Sequence, residues 1–578
     1  MVATVPPASP PGQTDILSFL FGHSLQTPDK AFVQAELPDS RDRISYAQAW
    51  RDLIRCKAEY ERKGVRPGGV VLIFLPQGWT AIAHYLGAIA HGCIASFMPC
   101  PSAKQDPDKY WTAHQKLIER IEPAALVTND AHAEQMRRNG LVQDRTVLVH
   151  AQAPDLLPDG ETGAWTQAGS DATPILQHSS GTTGLKKGVM LSHRAILDQT
   201  FGYARSIDAR ADDVVVSWLP LYHDMGLVAC LLMPMIVGQT IVLMDPFHWV
   251  SRPGTLFEAI ARHRGTLCWL PNFAFDHLAR IVEPKPQTMS LATMRAFVNC
   301  SEPCHAASFR RFAEKFAPLG LADTALQVCY AMAETTFAIT QTPVSAQPRI
   351  IQIDRILLHE QGKAVAPASA QTGQELISTG VPIVGTDIVV LDTDRRPVAD
   401  GIVGEVNVRS SCLFSGYYKL PEETAARLHG DLYATRDRGF IHDGELYVLG
   451  RLDDLIIVAG RNFHATEIET VLNRVDGLKP GRNVAFGVAN TERGTSDLIV
   501  VAETSDDAGA DTSSALHKAL RHQVREQVFQ SLSIYPSEVR LVLQGWLLKT
   551  TSGKIERNGN AAKFTREKLD NASRRASA

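Results

Sequence analysis

The chain has 578 residues, of which 44% are hydrophobic and 21% are charged, and its formal net charge is -4. This length exceeds what a single hydrophobic core normally holds, so two or more domains are expected. The composition is that of an ordinary globular protein, and the small net charge excludes a bulk attraction to nucleic acid or to an anionic membrane.

The nine cysteines are scattered along the chain, and Cys300 and Cys304 form the closest pair. This spacing favours reduced thiols over a disulfide framework or a zinc site. No apolar run reaches the length of a membrane span, and the proline-rich N-terminus lacks the basic and apolar segments of a signal peptide. We therefore expect a cytoplasmic protein without stable membrane insertion, in which residues 1–14 form a disordered tail.

Short apolar segments alternate with helical patterns over roughly the first 340 residues. Residues 15–60 are predicted to be helical with one strand-like break. Such alternation predicts an α/β domain with a largely parallel sheet. The predicted strands are residues 68–75, 124–128, 213–219, 240–244, 266–270, 296–300 and 326–330.

The pattern changes after this region. Residues 345–373 mix polar residues into the apolar pattern and are interpreted as an insertion. Short strands at 387–391, 404–408 and 445–449 indicate a small β-rich subdomain. The sequence therefore predicts a large N-terminal domain over 15–451, made of two α/β subdomains and this β-rich subdomain.

A compact α+β domain is predicted over residues 452–578. A capping box from Thr466 to Glu469 is expected to begin its first helix. A second, amphipathic helix is predicted over 513–529. Strands are predicted at 484–488, 497–502 and 539–543.

The run QHSSGTTGLKKGVMLSH, residues 177–193, concentrates glycine, hydroxyl and lysine side chains. Glycines let backbone N–H groups approach an anion closely, and lysines supply positive charge. The run predicts a loop that binds the triphosphate of a nucleotide, although a serine- and glycine-rich surface turn is the alternative. It is not a Walker A loop, because the G-x-x-x-x-G-K-[ST] spacing is absent.

Several predicted strands end in polar turns, where α/β folds place ligand contacts. His223 and Asp224 follow one such strand, and Glu302 follows another. Tyr330 ends a third strand, where its ring is suited to stacking on a base, and Glu334 is suited to holding magnesium. Taken singly, each residue also fits a hydrogen-bonding turn, core packing or a helix-terminal acid. The apolar segment Leu227–Gly238 fits an acyl pocket and a core segment equally well.

The glycine-rich loop resembles the signature [ST]-S-G-[ST]-T-G-x-P-K-G of adenylate-forming enzymes. Lys186 stands where the family has proline, and Lys187 occupies the position of the family lysine. The resemblance continues in family order along nearly the whole chain. Residues 299–303 resemble the N-G-x-E-P turn with Cys300 in place of glycine, and residues 435–437 resemble T-G-D with Arg436 in place of glycine.

This resemblance implies a role for each matching residue. Lys554, preceded by Thr-Thr-Ser-Gly, matches the lysine that bridges the acyl carboxylate and the α-phosphate. Lys554, His223 and Glu334 are implied to be catalytic, and Glu334 is also implied to bind magnesium. Asp453 is implied to be the hinge of a mobile C-terminal domain. Ala331 stands where the family has glycine. The residues implied to bind ATP or AMP are Ser180, Gly181, Thr182, Thr183, Gly184, Lys187, Ser301, Glu302, Pro303, Tyr330, Ala331, Thr335, Asp437 and Arg451.

Within that superfamily the chain is most similar to fatty acyl-AMP ligases. The similarity rests on SWLPLYHDMGL (217–227), WLPNFAFDH (269–277) and the inserted segment containing Ile353-Asp354-Arg355. It implies that the protein uses ATP and Mg²⁺ to convert a carboxylic acid to acyl-AMP with release of pyrophosphate. A fatty acid is the expected substrate. In that branch the insertion accompanies poor use of coenzyme A and delivery to a phosphopantetheinylated acyl carrier protein, which serves a polyketide or mixed peptide assembly line.

Two alternatives remain open at this stage. An acyl-CoA or aryl-CoA synthetase performs the same first half-reaction with coenzyme A as acceptor. A non-catalytic nucleotide-binding regulator on the same scaffold is more distant, because all five residues implied to carry the chemistry are retained: Lys187, Glu334, Asp437, Arg451 and Lys554. No DNA-binding motif or basic stripe indicates a nucleic-acid partner.

Overall fold

The computed structural model describes residues 14–38, 40–101, 107–159, 165–178, 187–369, 372–458, 461–490, 495–532, 534–549 and 554–576. Residues 1–13 of the predicted tail lie outside these ranges. Across the described ranges, the structure has no helix long and apolar enough to cross a membrane.

The first part of the chain alternates short strands with helices. Val70–Phe74 is apolar and buried at every position, as in a central strand covered on both faces. Ser45 and Ser192 each begin a helix, because their hydroxyls accept from the N–H groups of Gln48 (3.2 Å) and Ala195 (3.1 Å). The elements are α1 (Leu17–Gln26), β1 (Ala31–Glu36), β2 (Arg43–Ser45), α2 (Tyr46–Arg62), β3 (Val70–Phe74), α3 (Trp79–Ala90), β4 (Ile94–Phe97), α4 (Pro107–Ile121), β5 (Ala125–Thr128), α5 (Asp130–Arg138), β6 (Val147–His150), β7 (Ile175–His178), β8 (Gly188–Leu191) and α6 (His193–Ser206).

The next part continues the alternation and contains the buried strands nearest the predicted site. A π-helical segment, Met225–Leu232, leads into a short helix, and all eight of its residues are buried. The elements are β9 (Val214–Ser217), α7 (Met233–Val237), β10 (Thr240–Met244), α8 (Pro246–Ser251), α9 (Thr255–His263), β11 (Leu267–Leu270), α10 (Asn272–Ile281), β12 (Ala296–Asn299), α11 (Ala306–Phe316), β13 (Leu326–Ala331) and β14 (Ala338–Gln341).

The region from 345 to 451 holds more strand than helix. Inside the predicted insertion lie one strand and one helix, and Asp354 begins that helix by accepting from the N–H groups of Ile356 (2.9 Å) and Leu357 (3.1 Å). The elements are β15 (Ile350–Asp354), α12 (Arg355–Gln361), β16 (Gly373–Ile377), β17 (Val381–Pro382), β18 (Thr386–Leu391), β19 (Gly404–Ser410), α13 (Pro421–Ala425), β20 (Leu428–His429), β21 (Leu432–His442) and β22 (Glu445–Arg451).

The C-terminal part has apolar clusters of its own, formed by side chains from residues 456–541 and 484–564. A single 3-10 turn, Leu452–Asp454, connects it to β22. The elements are β23 (Leu455–Val458), β24 (Arg461–His464), α14 (Ala465–Leu472), β25 (Leu478–Asn490), β26 (Thr495–Thr504), α15 (Asp507–Ala510), α16 (Ala515–Leu532), β27 (Glu538–Val542) and α17 (Arg557–Ala576).

Two large sheets form the core of the N-terminal part. The nine-stranded sheet has the order β17-β14-β13-β12-β11-β9-β10-β1-β2, and the six-stranded sheet has the order β6-β5-β3-β4-β7-β8. The central strands are parallel, whereas β2, β8, β14 and β17 pair antiparallel at the edges. The predicted α/β class is confirmed, and the sheets are mixed.

Smaller sheets complete the molecule. Strands β18 to β22 form an antiparallel five-stranded sheet. Strands β15 and β16 form a separate antiparallel pair. In the C-terminal part, β25, β26 and β27 form a three-stranded sheet beside the β23-β24 hairpin.

Residues 15–60 are helical with one strand-containing break, as predicted, and the break holds two antiparallel strands, β1 and β2. One local prediction is wrong. The capping box of α14 lies two residues earlier than predicted: the N-cap is His464, whose N–H donates to Glu467 Oε2 (3.2 Å). Glu469 instead accepts two hydrogen bonds of 2.9 Å from the guanidinium of Arg557. This long-range ion pair occupies the carboxylate that the local pattern had assigned to the cap.

Candidate functional site

The residues predicted to surround adenine follow two neighbouring parallel strands. β12 ends at Asn299 and pairs with β13, which ends at Ala331. Because the carboxyl ends of parallel strands meet at one edge of a sheet, the turn 300–303 and the ring of Tyr330 come to the same edge. A register shift between Tyr330 and Ala331 bends β13 there.

The turn after β12 has a special backbone. Ser301 has φ = +69°, a left-handed conformation, and Glu302 Oε2 accepts from the N–H of Phe273 (3.0 Å). Burial raises the pKa of the Glu302 carboxyl, and the Lys554 ammonium opposes that rise. Cys300, which stands where the family has glycine, is fully buried, and its N–H donates to Leu270 O (3.1 Å). Pro303 is exposed.

Tyr330, Asp437 and Arg451 form a contiguous polar group. The Tyr330 hydroxyl donates to Asp437 Oδ2 (2.5 Å), and Arg451 Nε lies 3.5 Å from Asp437 Oδ1. Asp437 and Arg451 are register partners on the antiparallel strands β21 and β22. Burial raises the pKa of the Asp437 carboxyl, and Arg451 opposes that rise. The arrangement presents a carboxylate beside an aromatic ring, which suits the ribose and base of a nucleoside.

The residue between Thr435 and Asp437 adopts a conformation that favours glycine. Arg436 has φ = +65°. The Thr435 hydroxyl accepts from the N–H of Asp437 (3.0 Å) and donates to Val406 O (2.7 Å). The turn thus keeps the shape that a glycine would give it, although arginine occupies the position.

The phosphate-loop residues Ser180, Gly181, Thr182, Thr183 and Gly184 lie outside the described residues. Lys187 at the end of the loop is described. Its Nζ donates to Glu423 Oε2 (2.6 Å) and lies 5.1 Å from the centroid of the Tyr417 ring.

The neighbours of Lys187 were not predicted from the sequence. The segment 415–418 pairs with β8 beside the loop, since Met190 N–H donates to Gly416 O (3.0 Å) and Tyr418 N–H donates to Gly188 O (2.8 Å). This pairing brings Tyr417 and Glu423 next to Lys187. Neither residue lies in a motif, and only the tertiary pairing of 415–418 with β8 reveals them.

Glu334 lies in the short 3-10 turn Ala333–Thr335 and contacts the same tyrosine. The Tyr417 hydroxyl donates to Glu334 Oε1 (2.7 Å), and the N–H of Phe414 donates to Glu334 O (2.8 Å). Thr335 is fully buried, and its hydroxyl donates to Met332 O (3.0 Å). A carboxylate is the hard oxygen ligand that Mg²⁺ prefers, so Glu334 fits the predicted magnesium ligand.

His223 and Asp224 follow strand β9 directly before the π-helical segment. The N–H of His223 donates to Pro220 O (3.1 Å), and Asp224 Oδ1 accepts from the N–H of Met225 (2.8 Å). Burial raises the pKa of the Asp224 carboxyl, and Lys554 opposes that rise. Gly226 fits tightly against this turn, because a Cβ there would lie 2.4 Å from Pro220 O. The segment Leu227–Gly238 that follows is buried except at its end.

Lys554 crosses from the C-terminal part to the turn after β12. Its Nζ donates to Ser301 O (2.5 Å), although the two residues are 253 positions apart. The chain is paired on either side of the loop that precedes Lys554, since Glu556 N–H donates to Leu548 O (3.0 Å). The side chain of Asn560, fully buried, accepts from Leu548 N–H (2.8 Å) and donates to Leu548 O (2.9 Å). The base of the lysine loop is therefore fixed to α17.

The predicted insertion contacts the C-terminal part. The His359 ring lies 5.2 Å from the Phe463 ring between centroids, and its Nε2 is 3.7 Å from Glu467 Oε1. Gln374 Nε2 donates to the same Glu467 oxygen (3.5 Å), and the Arg355 guanidinium donates to Ser531 O. The insertion thus packs against β24, α14 and the end of α16 in this orientation.

The structure brings most described site residues to the carboxyl edge of the nine-stranded sheet. Lys554 contacts Ser301 beside Glu302, and Tyr330 is hydrogen-bonded to Asp437. Glu334 and Lys187 both contact Tyr417. Asp453 lies in the connecting turn, where Oδ1 accepts from Arg436 Nη2 (2.7 Å).

Comparison with known proteins agrees with this arrangement. A model of the family described as AMP-binding enzyme matches residues 21–418. A long-chain-fatty-acid–AMP ligase of Mycobacterium marinum is 30% identical over 518 residues, which cover 85% of this chain and 86% of that ligase. A long-chain-fatty-acid–AMP ligase of Mycolicibacterium smegmatis is 29% identical over 550 residues, which cover 86% of this chain and 85% of that ligase.

Solved structures share the fold over almost the full length. A structure from a study of fatty acyl-adenylate ligases of E. coli and L. pneumophila has a TM-score of 0.87 at 23% identity, covering 97% of this chain and 99% of that chain. A fatty acyl-adenylate ligase of L. pneumophila, solved with acyl adenylate and pyrophosphate, has a TM-score of 0.72 at 25% identity and covers 96% of each chain.

Proposed function

Because the chain belongs to the AMP-binding enzyme family, we propose that it uses ATP and Mg²⁺ to convert a fatty acid to its acyl-adenylate. It then transfers the acyl group to the phosphopantetheine thiol of an acyl carrier protein, in the cytoplasm, for use by a polyketide or mixed peptide assembly line. The large N-terminal domain over 15–451 supplies the nucleotide and acid sites, and the domain over 452–578 supplies Lys554.

The reaction has two steps that act on the same carboxyl group, the first through its oxygen and the second at its carbon. In the first, a carboxylate oxygen attacks the α-phosphorus of ATP, the bond from that phosphorus to the bridging oxygen breaks, and pyrophosphate leaves. In the second, the thiol sulfur attacks the acyl carbon, the bond to the AMP oxygen breaks, and the thiol proton passes to solvent. Both steps depend mainly on positioning and on neutralising negative charge.

The observation that carries the proposal is the position of the Lys554 ammonium. It donates to Ser301 O, and its charge acts on the carboxyls of Glu302 and Asp224. A positive charge there, at the strand edge to which Tyr330 also comes, is suited to neutralising an acyl carboxylate and an α-phosphate brought together.

The remaining described residues take complementary roles. Asp437 accepts from the ribose hydroxyls, Tyr330 stacks on adenine, and Arg451 adds positive charge beside the ribose. Lys187 binds the β- and γ-phosphates together with Thr182 and Thr183. Glu334 holds Mg²⁺, which when bound neutralises charge on the phosphates. His223, which precedes the buried apolar segment Leu227–Gly238, contacts the acid.

A fatty acid is favoured as substrate by the relatives, which are named long-chain-fatty-acid–AMP ligases. A carrier protein is favoured as acceptor by the insertion, because its contacts with Phe463, Glu467 and Ser531 restrain the C-terminal domain. An acyl-CoA synthetase is the second candidate, since it shares every residue of the first step.

Pyrophosphate release tests the proposal. The purified chain is given ATP, Mg²⁺ and carboxylic acids of increasing length, alone, with coenzyme A, and with a phosphopantetheinylated carrier protein. Thioester on the carrier protein and little on coenzyme A is the expected result. Efficient formation of acyl-CoA contradicts the choice of acceptor, and absence of pyrophosphate release with every acid contradicts the catalytic function.

A further inference from the structure

Arg436 contacts the residue at the junction of the two parts of the chain. Its Nη2 donates to Asp453 Oδ1 over 2.7 Å, and its own N–H donates to Glu405 Oε1 (3.1 Å). At φ = +65° any side chain is strained relative to glycine, so the backbone does not favour arginine there. The side chain nevertheless reaches across to the connecting turn.

The connecting turn, Leu452–Asp454, is where the C-terminal part can rotate as a unit. Among the residues that the structure describes, those in the apolar clusters of that part all lie at position 456 or later. Arg436 belongs to β21 of the N-terminal part, so its ion pair with Asp453 ties this part to the turn itself. Hinges are short segments of this kind that absorb a backbone rotation.

The orientation described here places Lys554 at the carbonyl of Ser301. A thiol attacking the acyl carbon must approach the position that the Lys554 ammonium occupies. Leu548 is hydrogen-bonded to Asn560 of α17, so the chain around Lys554 withdraws only if the C-terminal part moves with it. The second half-reaction therefore requires rotation about the connecting turn.

We propose that the Arg436–Asp453 ion pair is a latch that holds the C-terminal part in the orientation with Lys554 inserted and slows the passage from adenylate formation to acyl transfer. Arg436 is a positioning residue in this role, and the rate consequence rests on the function proposed above. The insertion contacts of His359 with Glu467 and of Arg355 with Ser531 restrain the same rotation at other points of the domain.

The size of the effect follows from the exposure of the pair. The two side chains are 42% and 39% exposed, so water and salt weaken their attraction. We expect removal of the latch to shift the rotation equilibrium by about twofold to fivefold. Raising the ionic strength from about 0.05 M to about 0.5 M has a similar effect on the wild-type chain.

The two half-reactions are measured separately on the full chain by rapid quench. Pyrophosphate formation without acceptor reports the first step, and transfer from enzyme-bound acyl-adenylate to the carrier protein reports the second. The variants are R436G and R436N, which suit a positive φ, and R436K, which retains the charge. We expect R436G and R436N to transfer about twofold to fivefold faster, with pyrophosphate formation unchanged and R436K close to wild type. Salt accelerates transfer by wild type and not by R436G.

Equal transfer rates in R436G and wild type overturn the proposal, as does equal acceleration in R436K. Limited trypsin digestion of the ligand-free chain provides a readout that does not depend on activity. The latch predicts faster cleavage near the connecting turn in R436G than in wild type. If no acid releases pyrophosphate but R436G is cleaved faster, the proposed function fails and the latch stands. Unchanged cleavage with normal activity rejects the latch alone.

Discussion

The Tyr330 hydroxyl donates to Asp437 Oδ2 over 2.5 Å, across 107 residues of sequence. The bond joins the end of β13 to β21 and orients the carboxylate that we assign to the ribose. Burial raises the pKa of the Asp437 carboxyl, whereas Arg451 and the hydrogen bond from Tyr330 favour its charged form. Both partners therefore support the binding of the ribose hydroxyls that we assign to this carboxylate.

The first prediction concerns this hydrogen bond. Y330F keeps the ring for stacking and removes the donor to Asp437. A hydrogen bond to a charged group contributes about 1.5–3 kcal/mol, part of which the nearby Arg451 retains. We expect KM for ATP to rise about tenfold with a smaller change in kcat, measured by pyrophosphate release.

Y85F is the matched control, because Tyr85 lies on α3, where its fully buried ring stacks on Phe97. It should leave KM for ATP unchanged. An unchanged KM in Y330F would show that Asp437 needs no help from Tyr330 to bind the nucleoside.

The second prediction concerns Lys554. K554A removes the positive charge at Ser301 O, and loss of one such donor costs about 100-fold to 1,000-fold in rate. We expect adenylate formation to fall by this amount. Transfer from added acyl-adenylate should persist, because the lysine acts only in the first step.

Lys568 provides the control, since it is an exposed lysine of α17 paired with Glu538 at 2.8 Å. K568A should form adenylate at the wild-type rate. If K554A and K568A behave alike, Lys554 has no part in catalysis.

The third prediction concerns the ion pair between Lys187 and Glu423, whose atoms are 2.6 Å apart. The hydrogen bond from Lys187, with its charge, lowers the pKa of Glu423, which is largely exposed. A nucleotide phosphate must displace this carboxylate to reach Lys187. We expect E423Q to lower KM for ATP by about twofold to fivefold, in keeping with the small strength of exposed pairs.

The neighbouring Glu422 is the control, and E422Q should bind ATP as wild type does. K187A should raise KM for ATP, because the phosphates lose their partner. Weaker ATP binding in E423Q would mean that Glu423 orients Lys187 instead of competing for it.

Two strand ends of the candidate site were predictable from the sequence, whereas the roles of the residues there stay predictions. Residues 299–303 and Tyr330 follow strands that were recognisable as buried apolar runs, and both strands are neighbours in the sheet. Glu423 and Tyr417 were missed because their contact with Lys187 depends on pairing between β8 and residues 415–418, which no local pattern encodes.

Local patterns also failed where a long-range contact competed with them. Thr466 and Glu469 have the spacing of a capping box, yet Arg557 binds the Glu469 carboxylate, and His464 with Glu467 forms the cap. Arg436 shows the converse. Its mismatch to the family glycine was visible in the sequence, but its contact with Asp453 required the structure.

The fourth prediction concerns acid stability. Burial lowers the pKa of His84 and of His193 to about 4, and that of His464 to about 3. In the folded protein these histidines stay neutral until the pH falls to their lowered pKa values. In the unfolded chain they gain a proton near pH 6.5. The histidines therefore contribute fully to the free energy of unfolding above pH 6.5. This contribution is lost as the pH falls toward 4, at up to about 1.4 kcal/mol per pH unit for each histidine.

His193 is the most direct test, because its Nδ1 accepts from the N–H of Ile16 (3.2 Å) at the start of α1. That bond requires an unprotonated Nδ1 and is lost in acid. We expect the thermal midpoint of wild type to fall between pH 7.5 and about 5. The thermal midpoint of H193Q should be lower than that of wild type at pH 7.5. It should then fall less steeply with decreasing pH, because one fewer proton binds on unfolding. H84Q should reduce the slope independently, and parallel curves for all three proteins would show that these histidines do not govern acid sensitivity.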